Sequence, residues 1–279
     1  MYDEILYDVK DPVATIQFNR PDRLNAFTYR TLEEFRHALA EAEADDRVVG
    51  IVISGSGRGF SAGMDMDSLA NTAAGGSGDI AQESRPSLEA APGDESMGPD
   101  FQVTWGYLLS IRKPLIAAVN GPCAGLGFVI AMLCDMRFAS EKARFTTSFS
   151  QRGLVAEHGI SWVLPRLIGS SRALDLLWSA RKFDADEAER LGVVDRVVAP
   201  ERLLSEAQGY IENLAENCSP TAIMLMKQQV YRHLMQPLGP AMEESNRLMT
   251  ESLKRADFKE GVESFVDKRL PRFGRIGSS

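Results

Sequence analysis

The stretch from Lys113 to Asp135, KPLIAAVNGPCAGLGFVIAMLCD, constrains the fold of this chain more than any other. It begins as an apolar run typical of a buried strand, turns at its NG pair, and passes through small residues into a hydrophobic helix. Gly125 and Gly127 flank Leu126 in that loop. A strand, a glycine loop and a helix N-terminus in this order leave backbone N–H groups free to bind whatever lies in front of them. The stretch therefore predicts a site for a phosphate, a carboxylate or a developing oxyanion, and leaves that choice open.

A second glycine-rich loop, GSGRGFSAGMDM over Gly55–Met66, follows another apolar run that we predict as a strand, Arg47 to Ser54. Each loop can direct a backbone N–H towards a common point, one from the AGMD segment and one from GLG. Two such donors form an oxyanion hole, and each stabilises developing charge by about 3 to 4 kcal/mol. The glycines would equally serve only tight turns and close packing, and the spacing does not separate the two readings. Neither loop matches GxGxxG, GK[ST] or GxSxG.

Strand and helix patterns alternate up to about residue 200, and helical patterns continue almost to the end of the chain. This order predicts an α/β fold with a core over residues 1–200 and a helical region over residues 201–279. Within the core, residues 70–100 are rich in Gly, Ala, Ser, Pro and acidic residues. We predict a mobile insertion or lid there, although a plain disordered surface loop fits the composition equally well. A helix is predicted around 102–111, and the predicted helix caps are Thr28, Asp184 and Ser219.

The composition restricts the function and the compartment. With 279 residues, 44% of them hydrophobic and 25% charged, the chain is long enough to bury a sizeable core. A net charge of -8 argues against a general nucleic-acid-binding role, which requires a basic face. The acidic start MYDEILYDVKD and the lack of an unbroken run of about 20 apolar residues predict no secretory signal and no membrane span. Three cysteines at unrelated spacings predict neither disulfides nor a metal site, so we expect a cytoplasmic protein without a bound metal.

Five segments in the right order resemble the crotonase, or enoyl-CoA hydratase/isomerase, superfamily. NRPDRLNAF resembles the first strand-to-helix loop of that family, and FSAGMD resembles its FxAGxD segment. KPLIAAVNGPCAGLGFVIAMLCDMRFAS resembles its KPxIAAVNGxAxGGGxxLAxxCDxxxA core. ADEAERLGVVDRVV and FKEGVESFVDKR resemble its later landmarks, so the similarity extends over almost the whole chain.

The resemblance implies an α/β, crotonase-like spiral of ββα units whose C-terminal helical region mediates assembly into a homotrimer or a dimer of trimers. It implies an acyl-CoA thioester substrate that brings coenzyme A with it, and no permanently bound cofactor. The two oxyanion N–H groups of the family match Met64 and Leu126, which would polarise the thioester carbonyl and stabilise an enolate. The positions that match coenzyme A contacts are Arg23, Leu24, Ala26, Ala62, Asp65, Phe265 and Lys268, the last two often provided by the adjacent subunit.

The departures from the family pattern concern proton transfer. Hydratases of the family use two glutamates, and this chain has Val129 and Phe149 at the matching positions. Losing a positioned general acid or base costs about 10²–10⁴-fold in rate, so a two-glutamate hydratase is not expected. Glu157 matches an aspartate that some isomerases, synthases and dehalogenases of the family use, and its neighbour His158 is expected to be a surface residue. A helix-capping carboxylate is the alternative role of Glu157.

Three functions remain open at this point. The first is an acyl-CoA enzyme with Glu157 as its sole acid/base, which favours double-bond isomerisation over water addition. The second is a coenzyme A thioester-binding protein with little or no catalysis. The third is a serine peptidase of the same spiral fold, which would have to use one of the three histidines, His37, His158 or His233. For the acyl group, the sequence predicts an apolar pocket formed by Met64, Met66, Leu126, Phe128, Val129 and Phe149.

Overall fold

A computed structural model describes residues 2–73 and 88–277 of the chain. The described residues contain two sheets. The strands of the larger sheet, in spatial order, are β1 (Ile5–Lys10), β2 (Val13–Phe18), β3 (Gly50–Gly55), β4 (Leu115–Val119), β6 (Met136–Ser140) and β9 (Arg196–Val198). The strands of the smaller sheet, in spatial order, are β5 (Pro122–Ala124), β7 (Arg144–Thr146) and β8 (Phe183–Asp184).

The helices follow the strands in the alternation that the sequence predicts. They are α1 (Tyr29–Ala44), α2 (Met66–Ala73), α3 (Tyr107–Ser110), α4 (Leu126–Leu133), α5 (Ile160–Ile168), α6 (Ser170–Ser179), α7 (Ala185–Leu191), α8 (Leu203–Asn217), α9 (Pro220–His233), α10 (Leu238–Ser252) and α11 (Ala256–Asp267). The predicted α/β fold is confirmed. No helix of residues 2–73 and 88–277 is long and apolar enough to cross a membrane.

The strands at the centre of the larger sheet are buried because they are short apolar runs. Every residue of β3 and β4 is buried, and both strands lie parallel to their neighbours, as expected for a sheet that is covered on its two faces. The edge strand β1 pairs antiparallel with β2 and was not predicted from the sequence. Its acidic residues make the alternation of apolar residues difficult to recognise. Its alternating burial is typical of an edge strand with one face on the core.

The predicted helix caps are confirmed. The Thr28 hydroxyl accepts a hydrogen bond from the backbone N–H of Thr31 at 3.0 Å, and Asp184 and Ser219 cap α7 and α9 in the same way. The helix predicted around 102–111 is wrong over its first half. Only α3 is helical there, and it follows a 3₁₀ helix at Pro99–Phe101, because Thr104 has a positive φ of 24° that interrupts a helix.

The first helix beyond residue 200 is part of the core. Ile211 of α8 packs against the larger sheet next to Val52 and Ile116, and an added Cβ at Gly50 would collide with the Ile211 side chain. Helix α9 is tied to the end of α4 through Asp135, which accepts hydrogen bonds from Lys227 Nζ at 2.7 Å and Tyr231 Oη at 2.8 Å. The predicted boundary between a core and a helical region at residue 200 therefore stays a prediction. The packed core includes residues on both sides of it.

The predicted mobile insertion, residues 70–100, falls partly outside the described residues, which omit 74–87. The part that follows, from residue 88, is hydrogen-bonded to the body of the protein. Leu88 N–H donates to Glu33 Oε1 at 2.7 Å, and Gly93 N–H donates to Glu43 Oε2 at 2.7 Å. Gln228 of α9 donates to Asp94 Oδ2 at 2.7 Å. Mobility of the insertion stays a prediction.

Candidate active site

The two glycine loops meet because the strands that precede them are neighbours. Strands β3 and β4 are parallel, so their carboxyl ends reach the same edge of the sheet. Beyond that edge the loops pair through a bridge between Ser61 and Cys123. Phe60 N–H donates to Pro122 O at 3.0 Å, and Ala124 N–H donates to Ser61 O at 2.9 Å. The sequence left open whether the two loops converge, and in the structure they lie next to each other.

Gly63 occupies the closest approach between the loops. Its φ of +89° is a left-handed conformation that side chains rarely adopt. A Cβ added at this position would lie 2.9 Å from Ala124 O and 3.3 Å from the backbone nitrogen of Leu126. Ser61 locks the turn from behind, because its Oγ accepts from Gly63 N–H at 3.1 Å and donates to Asn25 O at 2.8 Å. A side chain at position 63 would therefore crowd the N–H of Leu126.

The backbone N–H groups of Met64 and Leu126 lie where the local structure gives them no hydrogen-bond acceptor. Leu126 is the first residue of α4, where helical N–H groups have no intrahelical partner. Met64 lies between two residues that bond to Phe27: Gly63 O accepts from Phe27 N–H at 2.7 Å, and Asp65 N–H donates to Phe27 O at 2.9 Å. In an extended chain the backbone N–H and C=O groups of successive residues point to opposite sides. Because Gly63 O and Asp65 N–H point towards Phe27, the Met64 N–H points away from it. Among the hydrogen bonds of the described residues, neither N–H is a donor.

Both loops line a cavity of about 270 Å³. It contains all three predicted catalytic residues and four of the predicted coenzyme A contacts, together with residues that were not predicted. The lining consists of Arg23, Ala26, Ala62, Gly63, Met64, Asp65, Met66, Leu69, Gly125, Leu126, Thr147, Ser148, Phe149, Arg152, Leu154, Glu157 and His158.

The remaining predicted coenzyme A contacts do not line this cavity. Leu24 contributes its carbonyl oxygen to Ala62 N–H at 2.9 Å and so supports the loop from outside. Phe265 and Lys268 lie at the end of α11, where the Phe265 side chain is 86% exposed and Lys268 terminates the helix. Within one chain the structure does not bring these two residues to the cavity, and a contact from an adjacent subunit stays a prediction.

The predicted apolar pocket is only partly formed. Met64, Met66, Leu126 and Phe149 line the cavity as expected. Phe128 and Val129 are fully buried in the core instead, contrary to the expectation from sequence. The reason is the geometry of α4: each residue turns the helix by about 100°, so the two residues that follow Gly127 face the packed interior. Phe128 contacts the rings of Phe145 and Phe183, with centroids 6.3 Å apart in each pair.

The cavity has two carboxylates among its lining residues, and only one is tied to cations. Asp65 accepts a hydrogen bond from Arg20 Nη1 at 3.0 Å and from Asp67 N–H at 3.0 Å. Burial disfavours the charged form of Asp65, but these hydrogen bonds and the charges of Arg20 and Arg23 outweigh it and hold the pKa of that carboxyl below its usual value. Asp65 is thereby kept ionised and occupied in holding the loop.

Glu157 is the other carboxylate, and its side chain is one-third exposed. His158 Nε2 lies 3.8 Å from Glu157 Oε2. The sequence suggested that His158 is a surface residue, but it also lines the cavity. Its φ of +55° is a left-handed conformation in which histidine is enriched, and Gly159 follows with a φ of +81°. The adjacency to Glu157 was the one signal in the sequence that pointed to it.

Sequence reasoning missed Arg20 and Arg152 as well. Arg20 lies in the NRP segment, and its guanidinium joins Glu4, Ala26 O and Asp65. Arg152 lines the cavity and donates to Ser148 O at 3.0 Å. Ser148 has a φ of +61°, so the segment after β7 is held in an unusual turn beside the cavity. Nothing in the local sequence distinguishes Arg152 from an ordinary surface arginine.

The structure does not support the arrangement that a serine peptidase needs. None of the hydrogen bonds among the described residues joins a serine hydroxyl to His37, His158 or His233. His37 bonds to Tyr2 at 2.7 Å, and His233 lies 3.3 Å from Glu244. Across residues 2–73 and 88–277, no three His, Cys, Asp or Glu side chains come together as a metal centre would require.

Comparisons with known proteins agree with the fold and the loops. The model of the family described as enoyl-CoA hydratase/isomerase matches residues 8–275 of the chain. A probable enoyl-CoA hydratase of Rhizobium meliloti (strain 1021) is 36% identical over 272 residues, which cover 98% of each chain. The 1,2-epoxyphenylacetyl-CoA isomerase of Escherichia coli (strain K12) is 31% identical over 274 residues, 98% of this chain and 99% of that one.

Among solved structures, an enoyl-CoA hydratase subunit I from Geobacillus kaustophilus superposes with a TM-score of 0.82 at 33% sequence identity, and the match covers 98% of both chains. The similarity therefore includes the core, both glycine loops and the C-terminal helices.

Proposed function

The chain belongs to the enoyl-CoA hydratase/isomerase family, and we propose that it is an enzyme that isomerises an acyl-CoA thioester with Glu157 as its single acid/base. The observation that carries the proposal is the set of residues that line the cavity. Met64 and Leu126 line it together with Glu157, and so does Phe149, which the sequence resemblance matches to a glutamate of the hydratases.

The two N–H groups would donate hydrogen bonds to the thioester carbonyl oxygen, which would lie between them. When a proton leaves the carbon next to the carbonyl, negative charge develops on that oxygen as the enolate forms. Each fixed donor then stabilises the charge by about 3 to 4 kcal/mol. Because both donors belong to the backbone of tightly packed loops, they need no reorganisation during the reaction.

Glu157 would carry the proton. A 1,3-proton shift removes a proton from one carbon and returns it to another, so one carboxylate on one face of the substrate suffices. Addition of water needs a base for the water and an acid for the carbon. Phe149 has no ionisable group, and Asp65 is engaged with Arg20, so neither can serve as the second partner. Hydration by Glu157 and an ordered water is the alternative within the same fold.

The relatives support this choice in part. One of the similar enzymes is named as an isomerase of an aryl epoxide thioester of coenzyme A, and others are named as probable hydratases. Isomerisation of a coenzyme A thioester is therefore among the reactions for which chains of this similarity are named.

Glu157→Gln is the direct test. Purified protein is assayed with 2-enoyl- and 3-enoyl-CoA substrates, and the variant is expected to lose about 10²–10⁴-fold in kcat because the amide cannot accept the proton. Glu212→Gln, an exposed position of α8, is the matched control and should retain full turnover. Unchanged turnover in Glu157→Gln would remove this residue from the mechanism.

A coenzyme A thioester-binding protein with little catalysis is the second candidate. Phe149 favours it, because a cavity with an apolar wall at this point holds an acyl group without transferring a proton. Measurable binding of acyl-CoA with no turnover over a broad panel of substrates would select this function instead.

We also propose that the protein assembles as a homotrimer or a dimer of trimers and works in the cytoplasm. Leu238, Phe265 and Val266, all in the C-terminal helices, are more than two-thirds exposed in the single chain. Contact with another copy would cover these apolar side chains. Light scattering should give about three or six times the chain mass of 30.7 kDa. A mass of one chain would contradict the assembly.

A further inference from the structure

A second cavity, of about 610 Å³, lies beside the first, and neither Glu157 nor a residue of the two glycine loops lines it. It is bordered by the segment before β4, by the end of α4 and by the beginning of α5. Its lining is mainly apolar and includes two of the three tryptophans of the chain. The residues that matter for the argument are Phe101, Trp105, Leu109, Leu133, Trp162 and Met235.

The two cavities share a wall. His158 lines both of them, and Glu157 and Gly159 on either side of it each line one. The second cavity therefore begins directly behind the carboxylate that we assign to proton transfer. A substrate whose thioester lies against Met64 and Leu126 would have to pass His158 to reach it.

Helix α4 gives the distance from the proposed thioester position, at Leu126, to the second cavity, at Leu133. Leu126 at its first residue lines the first cavity, and Leu133 at its last residue lines the second. Seven residues at 1.5 Å each separate them by about 10 Å. An extended chain advances about 1.2 Å per bond, so about eight bonds cover that distance.

The lining of the second cavity also indicates the chemical nature of the group that it can bind. Rings of Phe101, Trp105 and Trp162 provide large apolar surface, and the guanidinium of Arg166 lies 4.0 Å from the centre of the Trp162 ring and fixes its position. Asp100 is the carboxylate among the described lining residues, so an acyl group with an anionic end would meet a like charge. An uncharged hydrocarbon end would not.

We propose that this second cavity holds the distal end of the acyl group, so that the substrates are acyl-CoA thioesters with an uncharged apolar chain longer than about eight carbons. The proposal rests on the proposed function, since it requires the thioester to lie in the first cavity. It goes further by naming the substrate class and by placing His158 at the boundary that the acyl chain crosses.

The first measurement uses the full chain in its native assembly and saturated acyl-CoA thioesters, which bind without reacting. Calorimetry should give a Kd for dodecanoyl-CoA at least tenfold lower than for octanoyl-CoA. Each further methylene that enters the cavity tightens binding by up to about fourfold, the equivalent of about 0.8 kcal/mol. A Kd that stops falling at octanoyl-CoA would mean that the additional carbons remain in water, and would overturn the proposal.

The second measurement fills the cavity. Met235→Trp places a larger side chain at its rim, and Met249→Trp makes the same change on α10, at a position that lines neither cavity. Met235→Trp is expected to abolish the preference for dodecanoyl-CoA over octanoyl-CoA and to leave the Kd of butyryl-CoA unchanged. Met249→Trp should retain the wild-type preference. Val103→Trp, an exposed lining position, serves if Met235→Trp does not fold.

The outcomes separate the two proposals. If octanoyl- and dodecanoyl-CoA bind equally well, the cavity assignment fails while the proposed function stands. If Met235→Trp weakens butyryl- and dodecanoyl-CoA alike, or changes the mass of the assembly, the cavity is an interface or a structural void and the assignment is overturned. If no acyl-CoA binds at all, the proposed function fails and this inference fails with it.

Discussion

The candidate active site has two walls of different construction. One wall is backbone: the loops of Gly63 and Leu126 are paired by hydrogen bonds, backed by the buried hydroxyl of Ser61, and too close to admit a side chain between them. The other wall consists of side chains of the segment 149–158, of which residues 150–155 and 158 are exposed. Its turn is held by short-range bonds such as Leu154 N–H to Phe149 O at 3.0 Å.

This difference suggests how one fold supports several reactions. In the proposed function the backbone wall polarises the thioester carbonyl, which any reaction through an enolate requires, and the geometry of this wall depends on several contacts at once. In the same proposal the side-chain wall provides the group that moves the proton. It can be altered by substituting one residue in an exposed segment, because few packing contacts depend on that residue. Glu157, whose side chain is one-third exposed, is such a residue. Phe149 belongs to the same wall but is buried and packs in the core.

The largest expected effect comes from breaking the backbone wall. Gly63→Ala forces a Cβ to 2.9 Å from Ala124 O and crowds the Leu126 N–H at 3.3 Å. We expect kcat to fall by about 10²–10³-fold, the loss seen when one oxyanion donor is removed. Steady-state kinetics would measure it.

Gly153→Ala is the matched control for Gly63→Ala, because Gly153 also has a positive φ, 69°, but an added Cβ there meets nothing within 4 Å. It should cost about 1 kcal/mol of stability through backbone strain and leave kcat unchanged. An equal loss of kcat in both variants would show that strain, and not the donor geometry, controls the rate.

An intermediate effect on the rate is expected from adding a carboxylate to the side-chain wall. Phe149→Glu places a second carboxylate in the cavity with Glu157, which supplies the partner that hydration lacks. We expect hydration of a 2-enoyl-CoA to rise by up to about 10²-fold, at the lower end of what a positioned acid or base contributes. The loss of enoyl thioester absorbance follows the reaction. If isomerisation and hydration both stay at their starting rates, the proton pathway does not pass this position.

The smallest expected effect concerns Asp65 and acid stability. Its folded-state pKa lies below the usual value of 3.8, so the unfolded chain takes up the proton first as the pH falls. The stabilisation is present above about pH 3.8 and is lost as the pH falls through the folded-state pKa. Asp65→Asn should lower the free energy of unfolding by about 1 kcal/mol at pH 7, the usual contribution of a hydrogen bond. It should also make the acid decline of stability shallower.

Urea unfolding of the wild type and Asp65→Asn at neutral and acid pH checks this expectation. Ser56→Ala, a change at a part-buried hydroxyl that bonds to Asn19, is a suitable control because it leaves the titration of Asp65 unchanged. An acid decline equal in Asp65→Asn and the wild type would place the responsible carboxylate elsewhere.

Much of the local structure could be predicted from the chain itself. The caps Thr28, Asp184 and Ser219 are side chains that satisfy N–H groups within three residues, so their signal is local. Strands β3 and β4 follow from apolar runs that fit a doubly covered sheet. Strand β1 and the break at Thr104 were missed, because pairing with β2 and a positive φ depend on partners that the local pattern does not contain.

The sequence by itself determined the order strand, glycine loop, helix in Lys113–Asp135, and with it the N–H group of Leu126, because a helix start leaves donors free wherever it occurs. The direction of the Met64 N–H depends on the bridge to Phe27, which is a tertiary contact. Only the tertiary structure decided which side chains face those donors. It placed His158 and Arg152 in the cavity, turned Phe128 and Val129 into the core, and left Phe265 outside. The physical reason is that helix rotation and the approach of distant loops set the direction of a side chain, and neither is encoded in a short run of residues.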